Sequence, residues 1–286
     1  MVLGPRPLIM AVLNVTPDSF SDAARFVRDG HGSSIVDLPG MVDLARAVEA
    51  AGADLIDIGG ESTRPGARPV PCDEEIARVL PVIEAVIPGL RIPISVDTYK
   101  AEVARLALAA GASIVNDVSG LRHEPLLAAR VAERGAALVV THSRGQSSLM
   151  YDQAVYADVV ADVATELNAA VARAEAAGVR RESIIVDPGI GFAKRADHSY
   201  GVLARLSELA EAVGRPTLVG VSRKSFLQDA VAERPAPSRD WGTAAAVTAA
   251  VLAGAHIVRV HAVAEMVQVV NVAERVRRAA DTAYAG

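Results

Sequence analysis

A chain of 286 residues that is 51% hydrophobic but only 3% aromatic must build its core from Ala, Val, Leu and Ile, the mix of parallel strands under helices, and at this length one large α/β domain suffices. A net charge of −5 without any Lys/Arg run argues against nucleic acid or an anionic membrane as partner and leaves room only for a local basic pocket that takes a small anion. The single cysteine, Cys72, excludes an internal disulfide and fits a reducing, cytoplasmic setting. The N-terminal apolar stretch is short and lacks a small-residue cleavage site, so it reads as a strand rather than a signal peptide. The later apolar stretch from Thr243 to Val258 is Ala-rich, interrupted by Gly254 and His256, and too short to span a membrane.

In chain order, the first Val/Ile/Leu-rich run is PLIMAVLN (7–14), followed by a long connection and the helical period of MVDLARAVEAAG (41–52). DLIDIGG (54–60) and IPISVDT (92–98) read as the second and third strands, then YKAEVARLALAAG (99–111) as a helix stopped by glycine. SIVNDVS (113–119) and ALVVTHS (137–143) precede a long helix in DVVADVATELNAAVARAEAAG (158–178). SIIVDPG (183–189), TLVGVSR (217–223) and HIVRVHA (256–262) complete eight strands. Strand then helix, repeated eight times without a breaking linker, predicts an α/β fold of the (β/α)8 (TIM) barrel kind as a single domain over residues 1–286, with an active-site loop at about residues 15–40. An open doubly wound sheet is the alternative. It fits less well because neither the first nor the last strand carries the charged pattern that protects an exposed edge.

Every strand finishes on side chains that are expensive to bury in an apolar barrel: Asn14; Glu61 with Thr63 and Arg64; Asp97; Asn116 with Asp117; His142; Asp187; Ser222 with Arg223 and Lys224; and Arg259 with His261. In a barrel all carboxyl ends of strands meet on one face, where active sites of this architecture lie. In LIDIGGESTRPGA, Gly59 and Gly60 are expected to let backbone approach a ligand, and Ser62, Thr63 and Arg64 then suit phosphate or carboxylate. Alternation puts Arg259 and His261 on the same side, able to clasp a polyanion. In VGVSRKSFL either Arg223 or Lys224 can serve the ligand, with the other in a structural ion pair. Asp97 and Asp187 can accept paired N–H donors of a guanidine-like heterocycle or stabilise a developing cation, or else cap a helix or pair with an Arg. DPGIGFAK has Gly189 and Gly191 but no third glycine, and no P-loop, zinc spacing or G-x-S-x-G elbow is present.

The ordered motifs LNVTPDSFSD, DIGGESTRPGA, ISVDT, NDVSG, DPGIGFAK, GVSRKSFL and RVHAV closely resemble the dihydropteroate synthase family over most of the chain. The resemblance implies an enzyme, a transferase, that joins (7,8-dihydropterin-6-yl)methyl diphosphate to 4-aminobenzoate in folate biosynthesis, with Mg2+ on the diphosphate. Carried over by motif, it implies that Asp97, Asn116, Asp187 and Lys224 hold the pterin, with Asp97, Asp187 and Lys224 as the catalytic set. It places Asn14, Thr63, Arg259 and His261 around the diphosphate, with Asn14 as the protein ligand of Mg2+. Arg64, Pro65, Phe192, Lys224 and Ser225 would line the aminobenzoate pocket, with Phe20 closing it. Family members are commonly homodimers, and the stripe in EMVQVVNVAERVRRAA (265–280) suits either such an interface or barrel packing. Two departures stand out: Ala23 and Ala24 replace a usual glycine pair, and Thr141 stands where the family commonly has Met against the pterin. These departures read either as drift or as a sign of altered aminobenzoate or sulfonamide handling. The competing expectations are a methyltetrahydrofolate methyltransferase-like barrel, which needs no diphosphate clasp, and a paralogue that binds pterin without condensing it.

Overall fold

The structure is a computed structural model that describes residues 3–4, 6–16, 27–30, 33–62, 67–145 and 151–283. Eight parallel strands form one sheet: β1 (Leu8–Asn14), then, numbered past a hairpin of β2 (Val27–Gly30) and β3 (Ser33–Val36), β4 (Leu55–Gly59), β5 (Ile94–Asp97), β6 (Ile114–Asp117), β7 (Ala137–Thr141), β8 (Ile184–Asp187), β9 (Leu218–Gly220) and β10 (Ile257–Val260). Their order is β8-β7-β6-β5-β4-β1-β10-β9, and a parallel bridge between Val186 and Thr217 joins the two ends. The ring closes, as the (β/α)8 reading expects, so the barrel sheet has no open edge to protect. Helices α1 (Leu38–Ala50), α2 (Cys72–Val86), α3 (Ala101–Ala110), α4 (Leu127–Arg134), α5 (Val159–Ala176), α6 (Ala196–Ala204), α7 (Leu206–Val213), α8 (Gln228–Val231), α9 (Asp240–Leu252) and α10 (Val263–Ala283) alternate with the barrel strands. The expected glycine stops at Gly52, Gly111 and Gly178 have φ of +104°, +116° and +93°, conformations in which a Cβ would clash with its own backbone.

Strand alternation divides the core into two compartments. Leu8, Met10, Leu55, Ile114, Val139, Ile185, Leu218 and Ile257 cluster together as an apolar plug inside the lower barrel. The alternate residues, among them Ile9, Ile56, Val96, Val115, Val140, Val186, Val219 and Val258, pack outward with the helices. One step above the plug on the same inward rows come Asp57, Asn116, Thr141, Asp187, Gly220 and Arg259, with Asn14, Gly59 and Asp97 paired side by side in the register above Asp57. The apolar plug thus forms a dry floor, and the polar residues stand over it.

Three boundaries differ from the expectation. The long first connection contains the antiparallel hairpin β2–β3, whose four-residue strands lack the apolar run that marks a barrel strand. The predicted loop does not extend to residue 40, because Asp37 accepts from the Gly40 amide at 3.2 Å and starts α1 at Leu38. The seventh barrel strand has three residues instead of seven, since the chain turns sharply beyond Gly220 and Arg223 adopts a φ of +59°.

Candidate active site

A cavity of about 350 Å3 opens at the carboxyl end of the barrel, and Asn14, Asp97, Asn116, Asp187, Phe192, Lys224, Ser225, Arg259 and His261 all line it. Nine sequence-predicted site residues are therefore brought together. Phe20, Thr63, Arg64, Pro65, Ala23 and Ala24 lie outside the described residues.

A chain of charge-assisted bonds crosses the floor of the cavity. Arg259, on β10, donates from Nε to Asp57 Oδ2 at 2.6 Å and from Nη2 to Asp97 Oδ2 at 2.8 Å. The same Asp57 oxygen accepts from Asn116 Nδ2 at 2.9 Å. Asp57 was not among the sequence-predicted site residues, yet it is wholly buried and links β4, β6 and β10. Its signal in DLIDIGG was a carboxylate in mid-strand, on the inward row with Leu55 and Gly59, where an unpaired charge is prohibitively expensive. Burial pushes the Asp97 carboxyl up to about 8 against the opposing pull of Arg259. Asp97 therefore takes the pairing alternative, with Arg259, while its face remains on the cavity.

On the opposite wall, Asp187 accepts the Gly189 amide at 2.7 Å, and burial raises its pKa against the pull of Lys224. Lys224 donates to the Ile190 carbonyl at 2.5 Å and lies 4.4 Å from the centre of the Phe192 ring. Burial lowers the Lys224 ammonium to about 8, opposed first by Asp187. Both cations of VGVSRKSFL line the cavity, but Arg223 commits its guanidinium to Asp240, with Nε and Nη2 both at 2.8 Å, which leaves Lys224, beside Asp187, to serve a ligand. Ser222 Oγ lies 2.9 Å from His261 Nδ1 and ties the ends of β9 and β10 together. Tyr151 and Ser225 approach through their hydroxyls at 3.3 Å. Thr141, 1% exposed, lines the cavity with an Oγ1 that has no hydrogen-bond partner among the described residues.

Three readings of the strand ends are corrected. His142 and Asp117 do not face the barrel axis, because strand alternation gives the inward places to Thr141 and Asn116. Asp117 instead accepts the amides of Ser119 and Leu121 and holds the turn after β6, and His142 is buried against Lys194 and Glu166. Gly60 does not give a ligand access to the backbone. A Cβ there would lie 2.6 Å from Val79 Cγ2, so its smallness admits α2 against the barrel. Gly59 does sit on the inward row, where a Cβ would stand 3.2 Å from that of Asp97.

The arrangement is a dry-floored pocket lined by carboxylates, amides and the cations Arg259 and Lys224, suited to a polar heterocycle joined to an anion. The family described as "Pterin binding enzyme" matches residues 10–261. A dihydropteroate synthase of Synechocystis sp. is 43% identical over 275 residues, 96% of this chain and 92% of that protein. The fold matches the Yersinia pestis dihydropteroate synthase solved as a sulfonamide drug complex, with a TM-score of 0.89, 37% identity and coverage of 97% and 99% of the two chains. It also matches the Xanthomonas albilineans dihydropteroate synthase solved with 4-aminobenzoic acid, with a TM-score of 0.85, 40% identity and coverage of 96% and 94%. A closed barrel with the heterocycle-and-anion pocket at its carboxyl end, and sequence likeness running almost end to end, place this chain in the pterin-binding enzyme family, among the dihydropteroate synthases.

Proposed function

We propose that this protein condenses (7,8-dihydropterin-6-yl)methyl diphosphate with 4-aminobenzoate to give 7,8-dihydropteroate and diphosphate. The observation that carries the reading is the convergence of Asp97, Asn116, Asp187 and Lys224 with Arg259, His261 and Asn14 on one cavity above an apolar floor. Asp97, Asn116 and Asp187 accept the N–H groups of the pterin and Lys224 donates to its acceptor edge. Arg259 and His261 face the diphosphate, and Phe192 and Ser225 border the aminobenzoate, with Thr63, Arg64, Pro65 and Phe20 assigned to these subsites by motif alone.

The bond from the methylene carbon to the diphosphate oxygen breaks, and positive charge develops on that carbon and spreads into the ring. Asp97 and Asp187 stabilise it, while the cations stabilise the departing anion. The amine of 4-aminobenzoate then forms the new C–N bond and sheds its proton afterwards, so no side-chain base is required and catalysis is positioning plus electrostatics. A methyl-transferring barrel would have no use for Arg259 and His261 at an anion edge.

For Mg2+, the donor set points to an ion that arrives with its substrate. Among the described residues no cluster of three His, Cys, Asp or Glu side chains could hold a metal, and Asn14 offers one amide oxygen at the cavity mouth. That fits a cation that keeps its waters and binds mainly through phosphate oxygens. When bound, it would neutralise charge on the leaving diphosphate. We also assign the protein to a homodimer in the cytoplasm, as one domain. On α10, Met266, Val270 and Ala273 are spent on barrel packing, whereas Val272 and Val276, and Leu252 of α9, remain exposed. No helix among the described residues is long and apolar enough to cross a membrane.

Incubation with the dihydropterin diphosphate, Mg2+ and 4-aminobenzoate tests the reaction, and the expected result is dihydropteroate with released diphosphate. Pterin binding without product would overturn the synthase assignment. The pH profile adds a second check. Lys224 holds its proton in the folded enzyme only up to about pH 8, below its ordinary value of 10.5, so kcat/KM should fall above about pH 8. The sign for stability is opposite: the cost of burying the charge is present below pH 8 and is relieved as pH rises towards 10.5. Lys224→Arg, which stays charged, should remove the alkaline limb from the pH–rate profile.

A further inference from the structure

Lys194, a lysine buried as deeply as the apolar core, takes no part in the chemistry above. It is 1% exposed, at the end of the loop that carries Phe192 from β8 to α6. Burial holds its pKa well below the ordinary lysine value, and its Nζ donates to the Gly189 and Phe192 carbonyls, each at 3.2 Å, and lies 2.7 Å from His142 Nδ1. The loop needs such a fastening, since Gly189, Gly191 and Ala193 all have positive φ, and a non-glycine residue such as Ala193 holds that conformation only under constraint. Tyr156 adds to it by donating from its hydroxyl to the Ala193 carbonyl at 2.9 Å.

His142 in turn is fixed from outside the barrel. Burial lowers the imidazole to about 3, so the neutral ring carries one N–H. Its Nδ1 faces Lys194 Nζ at 2.7 Å, and its Nε2 lies 3.2 Å from Glu166 Oε2 without a hydrogen bond to it. Glu166 is clamped by Arg144, from Nε at 2.8 Å and Nη2 at 2.5 Å, and by Arg122 Nη2 at 2.5 Å. The contacts run without a break from Glu166 through His142 and Lys194 to the carbonyls of Gly189 and Phe192. Beyond them lie the Phe192 ring and the Ile190 carbonyl on which Lys224 docks.

We propose that Lys194 is a positioning residue for the aminobenzoate subsite: its amino group, backed by His142 and Glu166, holds the Gly189 and Phe192 carbonyls and thereby sets the Phe192 wall against Lys224. This rests on the dihydropteroate synthase reading. Lys194 does not line the cavity, so its removal should act through the Phe192 wall, more on the second substrate than on the first.

Steady-state kinetics of Lys194→Met, which keeps the stem and removes the donors, decide the matter. The expected result is a KM for 4-aminobenzoate raised about tenfold, with the KM for the dihydropterin diphosphate within about twofold of wild type. Glu166→Gln, a change at a partly exposed helix position, should raise the aminobenzoate KM in the same direction by a few-fold. Equal loss in both KM values, or a lower Tm with both unchanged, would make Lys194 a purely structural residue and overturn the proposal. Should Lys194→Met fail to fold, an unchanged aminobenzoate KM in folded Glu166→Gln overturns it equally. A wild-type protein without turnover would sink the underlying reaction, whereas an active wild type with no selective KM effect sinks only the role of Lys194.

Discussion

Replacing Asp187 by Asn should lower kcat about 10²- to 10³-fold, because a buried carboxylate beside a developing cation supplies roughly 2.7 to 4 kcal/mol that an amide cannot. Folding should change by no more than about 1 kcal/mol. Asn is isosteric, its oxygen can still accept the Gly189 amide that Asp187 holds at 2.7 Å, and burial already disfavours the charge of Asp187. The variant carries a second signature. Asp187 is the main group that keeps the Lys224 proton in place against burial, so the alkaline limb of the pH–rate profile should move to lower pH. Thermal melting together with a pH series of kcat/KM tests both points, and a loss of Tm in proportion to the loss of turnover would assign Asp187 to the scaffold.

Arg259→Met should be damaging in a different way. Arg259 partners Asp57 and Asp97 at once, and its removal leaves two buried carboxylates facing each other without a cation. Breaking a buried pair by deleting one partner costs about 3 to 5 kcal/mol. The deficit should depend on pH with a defined sign. Asp97, already raised by burial, loses the opposing pull of Arg259 and rises further, so the folded state binds more protons than the unfolded one and the deficit shrinks as pH falls from 8 towards 5. Denaturant melts of wild type and variant at pH 8 and pH 5 provide the measurement. A deficit independent of pH would mean that the guanidinium matters for packing rather than charge. Turnover should fall as well, since the same side chain faces the diphosphate edge.

Both predictions concern residues visible in the sequence, but not all of the site was equally legible. Asn14, Asp97, Asn116, Asp187 and Arg259 stood out because a polar side chain at the end of an apolar run is conspicuous, and closing a ring brings all such ends to one face. His142 and Asp117 stood out for the same reason and belong elsewhere. A strand end shows that a residue is polar, and only the parity of the strand shows whether it points to the axis: Val139 and Thr141 share the inward row, so His142 cannot. Asp57 was legible by that same parity but sits in mid-strand, where the apolar neighbours Ile56 and Ile58 make it look like a local irregularity. Lys194 ends the DPGIGFAK motif, but nothing local marks its role, since its partners are two backbone carbonyls and a histidine 52 residues away.

The sequence by itself determined the alternation of strands and helices, the apolar inward rows that become the plug, the glycines that stop the helices, and the polar residues available to the mouth. These follow from local periodicity and conformational preference, which act over a few residues at a time. Tertiary structure decided which cation serves the cavity and which is bound to Asp240, which glycine admits a helix and which faces the pocket, and how Arg259 is shared between two carboxylates. Each of those depends on which groups, far apart in sequence, come within hydrogen-bonding distance once the ring has closed, and on how much water that closure removes from around them.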